Sequence, residues 1–228
     1  MDDRVLLITG ASSGIGAATA RAAAEKGYKL VLAARRQDKL EALAEEIGKD
    51  RVVTVSCDVT SMQEQQAMVE QALERFGRLD VVFANAGRGG SGGGFSEADH
   101  EQWKEMLMTN VYGVGLTLQA TLPALRQSQG HVLLTGSAAG RATIPGSMYS
   151  ASKWAVTGIG YNLREELRGT GIRVTLIEPG MVDTPFFDER PAHAMQDEDI
   201  ANAVIYALDQ PAHVDVNEIL IRPTPARE

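Results

Sequence analysis

Val5-Leu6-Leu7-Ile8-Thr9-Gly10-Ala11-Ser12-Ser13-Gly14-Ile15-Gly16 reads as a strand, a glycine turn and the start of a helix. The unbroken apolar run Val5 to Ile8 has the pattern of a strand covered on both faces, which is the habit of parallel sheets. An alanine-rich helix follows from Ala17 to Lys26 and closes at Gly27. A turn between strand and helix can be plain chain reversal. Glycines spaced in this way also let a backbone approach a pyrophosphate closely, and a helix N-terminus offers free N–H donors and the positive end of its dipole. The position directly after the first strand favours phosphate binding, although the spacing is not G-x-G-x-x-G, since position 19 is Thr.

The same alternation continues outward. Lys29 to Ala34, Arg51 to Ser56, Leu79 to Ala84, His131 to Gly136, Ile172 to Ile177 and Val216 to Ile221 read as further strands. Helical periodicity separates them at 37–47, 61–76, about 96–126, 149–168 and 200–209. One strand for each helix is what parallel β-α-β units require. The expected class is therefore α/β, a doubly wound parallel sheet of Rossmann type with about seven strands and helices on both faces, in a single domain spanning 1–228. Residues 185–196 show no clear period and read as a short substrate lid or loop.

Ligands of such sheets bind at the carboxyl ends of the strands. At the second strand end, Ala34 stands where an acidic residue would accept from a ribose 2′-hydroxyl, and Arg35 follows. A guanidinium there suits a 2′-phosphate, so NADP(H) is preferred with NAD(H) possible; alternatively Arg35 and Arg36 are solvated charges opening the next helix. Asp58 could bond an adenine amino group or begin the 61–76 helix. The low-complexity stretch Arg88 to Gly94 follows Asn85-Ala86-Gly87 and reads as a mobile wall of the site rather than a linker. Asn110 falls in mid-helix, where an amide gains nothing locally. Tyr149 and Lys153 are four apart on one helix face, with Ser137 ending the preceding strand. An ammonium beside a phenol favours the phenolate and brings a group that titrates near ~10 toward use as an acid/base.

Composition excludes other classes. The 228 residues carry 22 Lys and Arg against 30 Asp and Glu, a net charge of -8 and no run of more than two basic residues, which argues against nucleic acid. No segment approaches the ~20 apolar residues of a membrane span. The single cysteine, Cys57, and the absence of a signal-like leader point to the cytoplasm. The four histidines show no ligand spacing, so no metal is expected.

Four motifs, in order, resemble the short-chain dehydrogenase/reductase family over essentially the whole chain. They are Thr9 to Gly16 as T-G-x-x-x-G-x-G, Asn85-Ala86-Gly87, Tyr149-x-x-x-Lys153, and Pro179-Gly180 with Thr184. The resemblance implies interconversion of a carbonyl and an alcohol with Tyr149 as general acid/base. It gives Lys153 the nicotinamide ribose and the lowering of the Tyr149 pKa, Ser137 the carbonyl oxygen, and Asn110 a proton-relay water. The implied cofactor set is Gly10, Ser12, Ser13, Gly14, Ile15, Gly16, Arg35, Asp58, Val59, Asn85, Ala86, Gly87, Tyr149, Lys153, Pro179, Gly180, Val182 and Thr184. Departures are Ala84, where many members have asparagine, and a short Ser137-to-Tyr149 interval that makes Ser147 a poor substitute for Ser137. The compact lid implies an open site or a small substrate, such as a hydroxy acid or aldehyde.

Family habit also implies a homo-oligomer, a tetramer or dimer, with Met106, Leu107, Val114, Leu118 and Leu122 as surplus apolar surface unless the monomer buries them. Two other readings stand beside the small-molecule enzyme. One is a 3-oxoacyl-[acyl carrier protein] reductase, whose acidic partner needs a basic patch built from Arg126, Arg164 and Arg168. The other is a non-catalytic NADP-sensing protein.

Overall fold

Short apolar runs become strands here because the chain can cover both of their faces. In the computed structural model, which describes residues 3–186 and 192–224, seven parallel strands form one sheet. In chain order, β1 is Val5–Thr9, α1 Gly14–Glu25, β2 Lys29–Ala34, α2 Gln37–Ile47, β3 Val52–Ser56, α3 Met62–Phe76 and β4 Val81–Ala84. Then come α4 Gly94–Glu97, α5 His100–Leu107, α6 Gly113–Ser128, β5 His131–Thr135, α7 Met148–Glu166 and β6 Arg173–Pro179. The chain ends with β7 Val182–Asp183, β8 Met195–Gln196, α8 Asp197–Leu208 and β9 Glu218–Ile221. The sheet order is β3-β2-β1-β4-β5-β6-β9.

Side-chain alternation divides the core in two. Leu6 and Ile8 of β1 join the cluster under α1, α2 and α8, while Val5 and Leu7 join the cluster under α3, α6 and α7. From β1 the chain winds outward to β2 and β3, then crosses back to place β4 on the other side of β1. That reversal leaves a crevice at the carboxyl ends of β1 and β4, where open α/β sheets take their ligands.

The expected long helix over about 96–126 runs continuously only from His100 and carries a π-turn inside it. Asp99 accepts from the Glu101 N–H at 2.9 Å and so caps a new helix, α5. Between α5 and α6, Met108–Tyr112 winds as a π-turn. Pro123 is carried inside α6. The apolar set expected as surplus surface is largely consumed by the monomer, with Met106, Val114 and Leu118 all buried. Exposed in their place are Met108, Tyr112, Trp154 and Tyr161.

Part of the expected lid is regular: β8 pairs in parallel with β7, Val182 opposite Met195. Residues 187–191 of the lid and 225–228 of the polar tail lie outside the described residues. Among the described residues, no helix is long and apolar enough to cross a membrane, and no cluster of His, Cys, Asp and Glu could hold a metal ion.

Candidate active site

A cleft of about 860 Å³ runs along the carboxyl ends of β1 to β6, within the size range of cofactor sites. At one end lies the glycine turn. Gly10 and Gly14 take positive φ of 67° and 53°, which a side chain would strain. A Cβ on Gly16 would collide with the Gly10 carbonyl oxygen, so α1 can start this close to β1 only with glycine there. The N-cap of α1, Ser13, makes no side-chain capping bond, and no acidic residue stands in the first turn. Compare α3, where Ser61 accepts from the Glu64 N–H. The α1 terminus thus keeps its N–H donors and dipole for an external anion, so the turn fits a dinucleotide's pyrophosphate.

The arginines at the end of β2 face the same cleft. Arg36 donates to Ser12 Oγ at 3.0 Å and Ser13 Oγ at 2.8 Å. Arg35 is near enough to Asp58 to help hold that carboxyl below its ordinary range, behind the larger effect of the Thr60 N–H bond. Asp58 does not cap α3: its Oδ1 accepts from the Thr60 N–H and Oγ1 at 2.9 and 2.8 Å, a tight turn that leaves the cap to Ser61. Val59 lines the cleft beside it.

Asn85 is a fastener. Its Nδ2 donates to the Thr9 carbonyl at 3.1 Å and its Oδ1 accepts from Thr135 Oγ1 at 3.1 Å, joining the ends of β1, β4 and β5. Ala86 presses on Gly10, and Thr184 packs against Gly14, so the loop after β6 closes over the glycine turn. Pro179, Gly180 and Val182 line the intervening wall, as do Ile15 and Gly87.

At the other end stand Ser137, Tyr149 and Lys153. Ser147 caps α7 by accepting from the Ser150 N–H at 3.0 Å, which sets Tyr149 in the first turn and settles Ser147 in a local task. Lys153 follows one turn later, with Nζ 5.8 Å from the centre of the Tyr149 ring. Gly140 is obligatory because the Lys153 backbone lies where its side chain would be. Burial lowers the Lys153 pKa to about 8, and Nζ donates to the Thr135 carbonyl at 2.8 Å. Burial also raises the Tyr149 phenol above its ordinary value, and a hydrogen bond with Ser137 opposes that rise. The expected lowering by Lys153 is therefore not what acts on Tyr149 within the chain; Ser137 acts in that direction, while the Lys153 ammonium is turned to a carbonyl.

Asn110 reaches this end from the π-turn. Its Oδ1 accepts from the Arg88 N–H at 2.9 Å, and its Nδ2 donates to the Arg88 carbonyl at 2.9 Å and to Ser152 Oγ at 3.2 Å. A Cβ on Gly87 would lie 3.4 Å from Asn110 Oδ1 and 3.8 Å from Lys153 Nζ, so both side chains converge on that glycine. Of the glycine-rich stretch, Arg88 lines the cleft, while a side chain on Gly90 would meet Met106 and one on Gly89 would meet the Phe186 ring.

Arg36 and Phe186 were not singled out in the sequence. Arg36 was legible as the second of two arginines at a strand end, whereas the Phe186 ring, 5.7 Å from that of Tyr149, depends on a loop path with no local signature. The basic-patch candidates are engaged within the chain: Arg126 with Glu166, Arg168 with Glu165, and Arg164 with the Val174 and Asn217 carbonyls.

The family model for short chain dehydrogenases matches residues 4–194. An uncharacterized oxidoreductase of Staphylococcus saprophyticus is 43% identical over 231 residues, covering 98% of each chain. Among solved structures, an alcohol dehydrogenase from the archaeon Thermococcus sibiricus complexed with 5-hydroxy-NADP superposes with a TM-score of 0.91 at 35% identity, covering 99% of this chain and 98% of that one. The closed form of a serine dehydrogenase complexed with NADP+ gives 0.88 at 30% identity, covering 95% and 94%.

Proposed function

This chain belongs to the short-chain dehydrogenase/reductase family and is an NAD(P)-dependent oxidoreductase; from there we propose that it interconverts a small carbonyl compound and its primary or secondary alcohol with NADP(H), Tyr149 carrying the proton. The observation behind this reading is the convergence of Ser137, Tyr149 and Lys153 at one end of a cleft whose other end is an uncapped helix N-terminus flanked by two arginines. Bound nicotinamide supplies the hydride in reduction and takes it in oxidation. The chain does the rest. Ser137 donates to the carbonyl oxygen, and Tyr149 gives that oxygen its proton. The raised phenol pKa keeps Tyr149 protonated at neutral pH, the form that reduction needs. Lys153 holds the nicotinamide ribose, and Asn110 anchors the turn beside it.

Arg35 and Arg36 support the choice of NADP(H), since a 2′-phosphate pairs with guanidinium more strongly than a 2′-hydroxyl does. Small hydroxy acids and aldehydes are the substrate class, in keeping with the short stretch of sequence between Thr184 and β8 and with the serine dehydrogenase likeness. The carrier-protein reading lacks an unengaged basic patch among its candidates, and the binding-protein reading leaves the Ser137, Tyr149 and Lys153 grouping without a use. The exposed Met108, Tyr112, Trp154 and Tyr161 support a homo-oligomer. The cytoplasm is the proposed location.

A panel of small hydroxy acids and aldehydes, run with NADPH or NADH in reduction and the oxidised forms in oxidation, identifies the substrate. On it, Tyr149→Phe should lose at least ~10³-fold in kcat while NADPH fluorescence titration shows binding within a few-fold of wild type. Turnover near the wild-type rate would end the acid/base assignment. Arg35→Ala should raise the KM for NADPH and leave that for NADH nearly unchanged; equal effects on both would remove the 2′-phosphate assignment.

A further inference from the structure

Glu178, the next-to-last residue of β6, has a side chain with no solvent exposure. A carboxylate taken from water needs a charged partner. Arg141, the first residue after the 138–140 turn, supplies it: Nε donates to the two Glu178 oxygens at 2.8 and 3.0 Å. Thr157 of α7 donates to the same carboxylate at 3.2 Å. The remaining nitrogens of Arg141 reach the Tyr161 hydroxyl on α7 at 2.9 Å and Glu218 on β9 at 2.7 Å. One guanidinium thus fastens the loop after β5 to β6, α7 and the edge strand.

That loop begins with Ser137. Immediately before it, a Cβ on Gly136 would stand 2.9 Å from Glu178 Cγ, so the Glu178 side chain lies directly against the strand end. Immediately after Glu178, the Pro179 carbonyl accepts from Ser137 Oγ at 3.3 Å. Residues 136–141 and 178–179 therefore form a closed ring, covalent along each segment and bonded between them at both ends. A buried ion pair is a poor device for stability alone, because apolar residues of similar volume serve as well or better. What this pair adds is directional: a guanidinium held at fixed angles by three elements.

We infer that Arg141 and Glu178 are positioning residues, clamping the loop that carries Ser137 to the end of β6 and so holding the Ser137 hydroxyl against Tyr149. The inference rests on the proposed roles of Ser137 and Tyr149. Around Glu178 the charged or titratable groups are Arg141, Glu218 and Tyr161; the cation near Tyr149 is Lys153, on its own helix.

The test compares wild type with the double variant Arg141→Met/Glu178→Leu, which removes both charges and avoids stranding either one. Thermal melting and NADPH fluorescence titration establish that each protein is folded. The ultraviolet absorbance of phenolate is then followed against pH, the Tyr149 component being obtained by subtracting the Tyr149→Phe titration in the same background. Losing the Ser137 hydrogen bond removes a group that favours the phenolate, so the Tyr149 midpoint should move to higher pH in the double variant. With the substrate from the panel, kcat should fall about ten- to a hundredfold, the scale of a reacting group misplaced by about 1 Å, with the KM for NADPH nearly unchanged. Arg141→Lys, which keeps the charge but not the fork, should fall between the two. A folded double variant with the wild-type Tyr149 midpoint overturns the clamp, as does one that fails to bind NADPH or fold, since the pair would then be structural. Because the absorbance titration needs no turnover, it decides the clamp even if Tyr149→Phe remains active and the acid/base assignment falls.

Discussion

Lys153 shows most directly how one residue is held at a cost for the sake of a site. Its amine is buried, one hydrogen bond goes to the Thr135 carbonyl, and its pKa is lowered to about 8. A lysine whose pKa is lower folded than unfolded binds fewer protons in the native state between the two values. Stability therefore rises with pH across that window, by up to ~1.4 kcal/mol per pH unit for one group. The cost is fully present below pH 8 and is relieved between about 8 and the ordinary lysine value. Lys153→Met should accordingly melt higher than wild type at pH 7, and the gap should shrink as pH rises from 8 toward 10. Melts across that range check it; a constant gap would mean that the burial cost is offset elsewhere. The same substitution removes the amine proposed to hold the nicotinamide ribose, so greater stability and lower activity should arrive together. Cys57 is the opposite case: burial pushes its thiol up to about 12, which leaves it inert at neutral pH.

At the scale of elements, the π-turn Met108–Tyr112 is the feature that a periodicity reading passes over. A π-turn interrupts the α-helical hydrogen-bond ladder and often marks a functional position. Here it holds Asn110, whose side chain closes on both backbone groups of Arg88. Asn110→Leu would leave that N–H and carbonyl without their partner, at about 2 kcal/mol, a fall in Tm of roughly 4–8 °C for a chain of this length. A calorimetric scan measures it, and an unchanged Tm would show that the clamp is replaced by solvent. The alternation of β1, α1, β2 and α2 was legible because each strand is a short apolar run and each helix a longer amphipathic one. The glycine turn and Tyr149 with Lys153 were legible because their spacing is local. The β7–β8 pair and the Arg141–Glu178 pair were not. Each depends on a contact between segments far apart in sequence, and neither propensity nor spacing encodes which distant partner a polar side chain meets.

For the molecule as a whole, apolar side chains left outside both cores are where the proposed oligomer is to be tested. Met108 and Tyr112 lie in the π-turn, and Trp154 and Tyr161 lie on α7, all of them exposed. If these helices form the homo-oligomer interface, Trp154→Glu should shift sedimentation velocity toward the monomer while near-native helix content remains. An unchanged assembly would move the interface elsewhere, for instance to the exposed Leu220 on β9. The strand order carries a further consequence, for the time axis of synthesis. β1 needs β2 on one side and β4 on the other, and β4 begins only at Val81. A growing chain that has released its first three strands holds three of the seven, with the unpaired backbone N–H and C=O groups along one edge of Val5–Thr9 bare toward solvent until β4 emerges. Such an edge is a template for pairing with any strand nearby. The crevice proposed as the ligand site of the finished protein is thus, during translation, a seam open to misassembly.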